Sequence, residues 1–396
     1  MKIGILTFVH AYNYGAELQC FALQRKLRNL GYECEVLDIY RPSDPEYKKN
    51  KNTDERFKQL YAFNNVSDVK ARLHTIAAKV INNIFCFIYH KKYKERKNNF
   101  LGFHKKYTNL STHVYYNFGE LYSREMDYTH IIVGSDQVWN FMNEFSVEPF
   151  FLTFAKKAKK ISYAASIGHS DIPEELKAQY QLWSAGMSDI SLREERGVEI
   201  MKELTGRNDI CCVLDPTLLL NKEEWCASLN IIDNISENYV LLYLLSMSSF
   251  SIELAKKIAA FNGYKIKIVS TNAISVNKDS NIEYYDGVSP RKFVELFAHA
   301  SFIVTNSFHG TAFSVNFNVP FYSTTKKSKR YNSRFESLLG KTNLINRLLF
   351  EEDGINDTIL SEANSISFDL CNKALDLERN YSLNFLHKVL NIDGKN

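Results

Sequence analysis

Residues 2–40 read KIGILTFVHAYNYGAELQCFALQRKLRNLGYECEVLDIY, and the order of patterns within them decides the fold class. The run 2–8 is apolar, β-branched and aromatic, as a buried strand requires. After a polar turn, Leu18, Phe21, Ala22, Leu27 and Leu30 return at helical spacing, and Gly31 stands where a helix ends in the left-handed conformation. The run 33–40, ECEVLDIY, is a second strand. Strand, helix and strand in so short a stretch form a βαβ unit, which implies a parallel sheet with a right-handed crossover. Ligands of such sheets gather beyond the carboxyl ends of the strands.

Working outward, residues 41–126 interrupt this rhythm with a lysine-rich insertion expected to be largely helical. Its most apolar stretch, 76–89, is broken by Lys79, Asn82 and Asn83 and falls short of the roughly 20 residues that span a bilayer. Strand character resumes at 129–135, 161–167, 188–192 and 211–214, and Asp215-Pro216 with the polar stretch 221–224 marks a boundary. An N-terminal α/β domain over 1–225 follows. Strand candidates at 239–246, 265–270, 301–306 and 319–323 alternate with helices, one opened by Ser289-Pro290, and predict a second α/β domain over 226–345. Residues 346–396 show a helical pattern and are expected to pack back across both domains. The expected fold is therefore α/β, with two Rossmann-like parallel-sheet domains facing a cleft, a helical insertion in the first and C-terminal helices.

Composition narrows the function classes. The chain has 396 residues, 45% of them hydrophobic and 24% charged, which excludes wholesale disorder and fibrous structure. Its net charge of +4 is too small to predict a nucleic-acid partner. Seven cysteines without CxxC spacing argue against a disulfide framework or structural zinc and suit a reducing compartment. The first residues are too short an apolar run and too polar for a signal peptide, so a cytoplasmic location is expected.

Five segments concentrate polar chemistry at predicted strand ends. Asn13, Tyr14 and Gly15 join the first strand to the first helix, where a capped N-terminus with a glycine suits an anion. Ser135, Asp136, Gln137 and Trp139 follow the strand at 129–135, and the tryptophan could stack on a sugar face or simply pack in the core. Asn306, Ser307, His309, Gly310 and Thr311 stand at a strand-to-helix junction in the second domain, where a histidine suits general acid/base work. Arg193 ends another strand, either to grip a carboxylate or phosphate or to pair with Glu194 or Glu195. Lys326, Lys327, Lys329, Arg330 and Arg334 cluster after a later strand, either to close over a phosphate or as a solvated loop.

In order and spacing, NYGAELQCFAL, GSDQVWN, SLREERG, the DPT of 215–217 and TNSFHGTAFS resemble the polysaccharide pyruvyl transferase family, from about residue 2 to about residue 340. The resemblance implies a two-domain fold similar to GT-B glycosyltransferases. It also implies transfer of the enolpyruvyl unit of phosphoenolpyruvate onto a sugar of a surface glycan or its precursor, as a ketal, with loss of phosphate. Arg193 and His309 would contact the donor; Asp136, from its place after the strand at 129–135 rather than from the resemblance, is expected as a third catalytic residue. Asn13, Tyr14, Gly15, Ser135, Gln137, Trp139, Asn306, Ser307, Gly310, Thr311, Lys326 and Arg334 would line the substrates. Many members have Arg-Leu-His where this chain has Ser307-Phe308-His309, so either the basic cluster around Arg334 compensates or the donor differs.

No metal-ligand spacing appears, and no cofactor beyond phosphoenolpyruvate as donor substrate is expected. The expected partners are that donor and a glycan or lipid-linked sugar acceptor, with no nucleic acid. Two rival readings stay open: a glycosyltransferase using a nucleotide sugar, and a non-catalytic glycan-binding module. In the insertion, Lys91, Lys92, Lys94, Arg96, Lys97, Lys105 and Lys106 crowd one segment with Tyr93, Phe100 and Phe103 interleaved. That pattern fits peripheral contact with an anionic membrane, or a solvated helix whose aromatics pack on the first domain.

Overall fold

The computed structural model describes residues 1–50, 56–57, 90–143, 145–232, 237–270, 282–327 and 332–390. Two parallel sheets carry the architecture. The first contains β1 (Lys2–Leu6), β2 (Glu33–Ile39), β3 (Leu110–Tyr115), β4 (His130–Val133) and β5 (Lys159–Ser162) in the order β3-β2-β1-β4-β5. Its central strands are apolar on both faces, because helices cover both sides of a parallel sheet. β6 (Ser191–Leu192) and β7 (Cys211–Cys212) form a short parallel pair, bridged to the edge of this sheet through Asp189 and Ala165.

The second sheet contains β8 (Tyr239–Leu244), β9 (Lys265–Ser270), β10 (Ile282–Tyr284), β11 (Phe302–Thr305), β12 (Phe321–Thr325) and β13 (Leu348–Phe350), in the order β10-β9-β8-β11-β12-β13. All its pairings are parallel. The expected two Rossmann-like sheets facing a cleft are therefore present.

Three strands correct the sequence reading. The insertion is not largely helical throughout, since β3 lies within 41–126 and adds an edge strand beside β2. β10 was not expected, and it has only three residues next to Tyr285. Residues 346–396 are not helices alone, since β13 pairs with β12 through Ser323 and Leu348. The 76–89 stretch lies outside the described residues.

An aromatic seam joins the halves. Tyr14, in the Tyr14–Asn29 helix, stacks on Phe293 at 4.4 Å between ring centroids and donates its hydroxyl to the Val288 carbonyl at 2.9 Å. Trp225, fully buried, touches Phe21 of the first helix at 5.4 Å and Phe313 of the second domain at 5.2 Å. The C-terminal helix Asp369–Leu390 also contacts both sides: Lys159 donates to the Val389 carbonyl, and Arg379 to Asn316. An interface this apolar holds two domains in a fixed relation better than a polar one.

The insertion contributes a clasp. Within the His90–Tyr107 helix, Phe100 and Phe103 are buried and Phe103 packs on Phe21. Lys92 pairs with Asp286 of the second domain at 3.1 Å, Asn99 donates to the Gly287 carbonyl, Arg96 to that of Tyr12, and Lys97 pairs with Glu46. The aromatic residues expected at a membrane surface are thus turned inward, apart from Tyr93. Among the described residues no helix is long and apolar enough to cross a membrane.

Candidate active site

A cavity of about 290 Å³ opens between the carboxyl ends of the two sheets. Segments leaving β1 and β4 supply Phe8, Ala11, Asn13, Asp136, Gln137 and Asn143, and those leaving β8 and β11 supply Leu245, Ser307, Phe308 and His309, with Arg334 from the helix Ser333–Lys341. The sequence makes these ends polar and bent. Asn13 caps the first helix, its Oδ1 accepting from the amides of Gly15 at 2.9 Å and Ala16 at 3.3 Å, a contact worth about 1 kcal/mol. His10, Tyr12 and Asp136 all adopt left-handed backbone conformations at φ 65°, 46° and 79°. Such strain in non-glycine residues concentrates at functional sites.

On the opposite side Ser307 caps the helix Phe308–Asn316 by accepting from the Gly310 amide at 3.3 Å, which puts His309 in the first helical turn. The imidazole lies directly against Gly15. A Cβ on Gly15 would stand 2.0 Å from His309 Nδ1, and one on Gly310 would stand 2.2 Å from Thr305 Oγ1. Both glycines are therefore required by close approach.

Behind His309 is a buried charge cluster. Asp215 Oδ2 accepts from Ser135 Oγ at 2.8 Å and Arg193 Nη1 at 2.9 Å and faces His309 Nε2 at 3.7 Å, a charge contact beyond hydrogen-bond range. Its Oδ1 accepts from the amide and hydroxyl of Thr217 at 3.0 and 2.7 Å. Burial would raise the Asp215 pKa, but His309, Arg193 and Thr217 outweigh it and hold the carboxyl well below the usual range. Arg193 also meets Glu194 at 3.2 Å and Asp136 at 3.8 Å, and its guanidinium lies over the Phe308 ring at 4.7 Å. Burial opposes its charge, and Glu194, Asp215 and Asp136 together keep its pKa raised.

The cavity brings together six residues expected from the sequence: Asn13, Asp136, Gln137, Ser307, His309 and Arg334. Gly15 supports His309. Ser135, Gly310 and Thr311 are buried one layer behind the surface, where Thr311 bonds Ser307 and Ser323. Asn306 fixes the loop after β8 by donating to the Ser246 carbonyl and accepting from the Leu245 amide, both at 2.8 Å.

Four expectations need correction. Trp139 cannot stack on a sugar, because it is fully buried against Phe151 at 4.5 Å with its Nε1 donating to the Phe150 carbonyl. Tyr14 belongs to the interdomain seam described above. Arg193 is not at the cavity surface; its side chain is 1% exposed within three carboxylates. Lys326 points away, paired with Glu351 at 3.7 Å, while Lys327 pairs with Asp353. Lys329 and Arg330 lie outside the described residues.

Asp215, Phe308, Phe8, Asn143 and Leu245 were not expected as site residues. Asp215 and Phe308 fall within the DPT and TNSFHGTAFS segments that carry the family resemblance, but the residues themselves gave Asp215 only a place at a domain boundary and Phe308 no role. Among the described residues, no group of three or more His, Cys, Asp or Glu side chains is arranged to hold a metal ion.

The sequence profile of the polysaccharide pyruvyl transferase family matches residues 13–325. The chain belongs to that family. No curated protein matches this pyruvyl transferase family member. Similar solved structures include the E. coli heptosyltransferase WaaC with ADP, at 12% identity over 88% of this chain and 92% of that one, TM-score 0.38. They also include the UDP-GlcNAc 2-epimerase from Methanocaldococcus jannaschii, at 12% identity over 93% of both chains, TM-score 0.48. A third is Arabidopsis thaliana UGT89C1, at 11% identity over 97% of this chain and 98% of that one, TM-score 0.48. The family assignment makes the protein a transferase that modifies polysaccharide.

Proposed function

We propose that the protein transfers the enolpyruvyl unit of phosphoenolpyruvate to two hydroxyls of a glycan sugar, closing a cyclic ketal and releasing phosphate. The observation that carries this reading is the meeting in one cavity of His309, the capped helix start at Asn13 and the guanidinium-bearing Arg334. An acid, a helix N-terminus and a cation suit a donor bearing both a carboxylate and a phosphate.

In this account His309 gives a proton to the methylene carbon of the enol phosphate, which becomes a methyl group. The adjacent carbon gains oxocarbenium character, and the first sugar hydroxyl attacks it. The new C–O bond releases its hydroxyl proton to the base. The C–O bond to phosphate then breaks, and Arg334 with the helix N-terminus stabilises the leaving charge. The second hydroxyl then attacks the same carbon to close the ring, and its proton passes to the released phosphate, which departs as hydrogen phosphate. A positioned acid/base contributes typically 10²–10⁴-fold to such a reaction. The chemistry needs no cofactor beyond the donor.

The acceptor is a surface glycan or its precursor, and the reaction is assigned to the cytoplasm. Lys91, Lys94, Lys105 and Lys106 are exposed and share one face of the insertion helix by their spacing. Electrostatic contact of that face with anionic lipid would bring the cleft to a lipid-linked acceptor. Co-sedimentation with anionic but not neutral vesicles, lost at high salt, supports this contact; equal behaviour with both rejects it.

The experiment that tests the transfer is phosphate release from phosphoenolpyruvate against a panel of sugar acceptors. Acceptor-dependent release supports it. Consumption of a sugar nucleotide in its place would make the protein a glycosyltransferase.

A further inference from the structure

We propose that Asp215 is the positioning residue for His309, fixing the imidazole tautomer through Nε2 while its other contacts hold it to Arg193. The inference rests on the reading of His309 as the acid/base, and it concerns a residue outside the cavity.

The geometry gives Asp215 few alternatives. One oxygen is occupied by Thr217, through its amide and its hydroxyl. The other accepts from Ser135 and Arg193 and faces His309 Nε2, which is buried and has no hydrogen-bond partner. A carboxylate held ionised by this setting favours a proton on Nε2, which leaves Nδ1, at the Gly15 edge of the ring, as the nitrogen that exchanges a proton. The separation of 3.7 Å exceeds a hydrogen bond, as catalytic contacts often do before substrate binds.

A second effect works against His309 and makes the carboxylate necessary. The imidazole sits in the first turn of the helix Phe308–Asn316, where the helix dipole disfavours a positive charge. Asp215 opposes that field during the step in which the ring is charged. Arg193 in turn is balanced by Glu194 and Asp136 as well as by Asp215, so the cluster keeps a negative edge toward the histidine.

The test uses the whole chain and two independent readings. Asp215→Asn preserves the shape of the side chain and removes its charge. It should lower kcat on the order of 10²–10⁴-fold, up to the whole contribution of a positioned acid/base, with KM for phosphoenolpyruvate changed less than about threefold. In a His309→Ala background the same substitution should cost nothing further. Two losses that multiply independently would show that Asp215 serves only the fold, and would overturn the proposal.

The second reading is nitrogen NMR of histidine-labelled protein, with His309 assigned by its loss in His309→Ala. Wild type should show the Nε2–H tautomer, and Asp215→Asn should lose it. An unchanged His309 signal in folded Asp215→Asn contradicts the proposal. This reading needs no substrate, so it judges Asp215 even if phosphoenolpyruvate proves not to be the donor. Should Asp215→Asn not fold, Thr217→Val removes one hydroxyl from Oδ1 and keeps the charge. A severalfold fall in kcat with unchanged KM is then expected, and an unchanged kcat overturns the proposal.

Discussion

Gly15 and His309 meet across the cleft so closely that a methyl group on Gly15 would lie 2.0 Å from the imidazole Nδ1. The first residues of one domain's leading helix thus set the position of the other domain's histidine. Gly15→Ala forces the ring to turn or the two sheets to separate. Because a displacement of about 1 Å can cost 10²-fold in rate, Gly15→Ala should lower kcat/KM by about that factor. Steady-state kinetics beside a thermal melt separates this from unfolding, and near-normal turnover would show that the ring moves without consequence.

Arg193 should behave as a structural cation. Removing it leaves the buried carboxylates of Asp215 and Glu194, with Asp136 at the cavity edge, around an empty centre, and breaking a buried pair from one side costs about 3–5 kcal/mol. Arg193→Ala is therefore expected to lose stability in urea unfolding before any donor effect can be read. A variant with unchanged unfolding midpoint and a raised donor KM would return Arg193 to the substrate.

Two basic residues from one cluster should separate cleanly. Arg334 lines the cavity, whereas Lys326 is 55% exposed and paired with Glu351. Charged hydrogen bonds are worth about 1.5–3 kcal/mol, so Arg334→Ala should raise the donor KM roughly 10- to 100-fold. Lys326→Ala should leave it unchanged. Equal effects from both would mean that the cluster acts as a field rather than through one contact.

The pH dependence of stability should carry the mark of His104. Burial opposes its protonation, but the adjoining Glu17, with Asp38 farther off, outweighs burial and raises its pKa above the ordinary value. A raised folded-state pKa adds stability that is complete below about pH 6.5 and disappears as pH rises through the folded value. The urea midpoint should accordingly fall between neutral and alkaline pH, and His104→Gln should flatten that part of the curve. A flat wild-type curve would contradict the assignment.

The parts of the site legible in the sequence share a cause. Asn13, Asp136, Gln137, Ser307 and His309 all follow apolar strands, so strand ends could be found and parallel topology assigned them to the carboxyl edges of two sheets facing a cleft. Asp215 escaped because its partners, Ser135, Arg193 and His309, come from three distant segments. Gly15 was read as room for a ligand, but what fills that space is a side chain from the other domain. Trp139 sits among polar neighbours in sequence, and only tertiary packing on Phe151 shows it to be core. β10 and β13 have three residues each, too few for any period, and β3 alternates weakly through Ser111, Thr112 and His113 at the sheet's edge.

The central claim is that His309 transfers a proton in ketal formation from phosphoenolpyruvate. The most direct measurement follows carbon-labelled phosphoenolpyruvate into acceptor glycan together with phosphate release, in wild type and His309→Ala. The account predicts label and phosphate in equal amounts for wild type, and a fall in kcat on the order of 10²–10⁴-fold for the variant with its fold retained. Wild-type rates in His309→Ala, or phosphate released without label in the glycan, would contradict it.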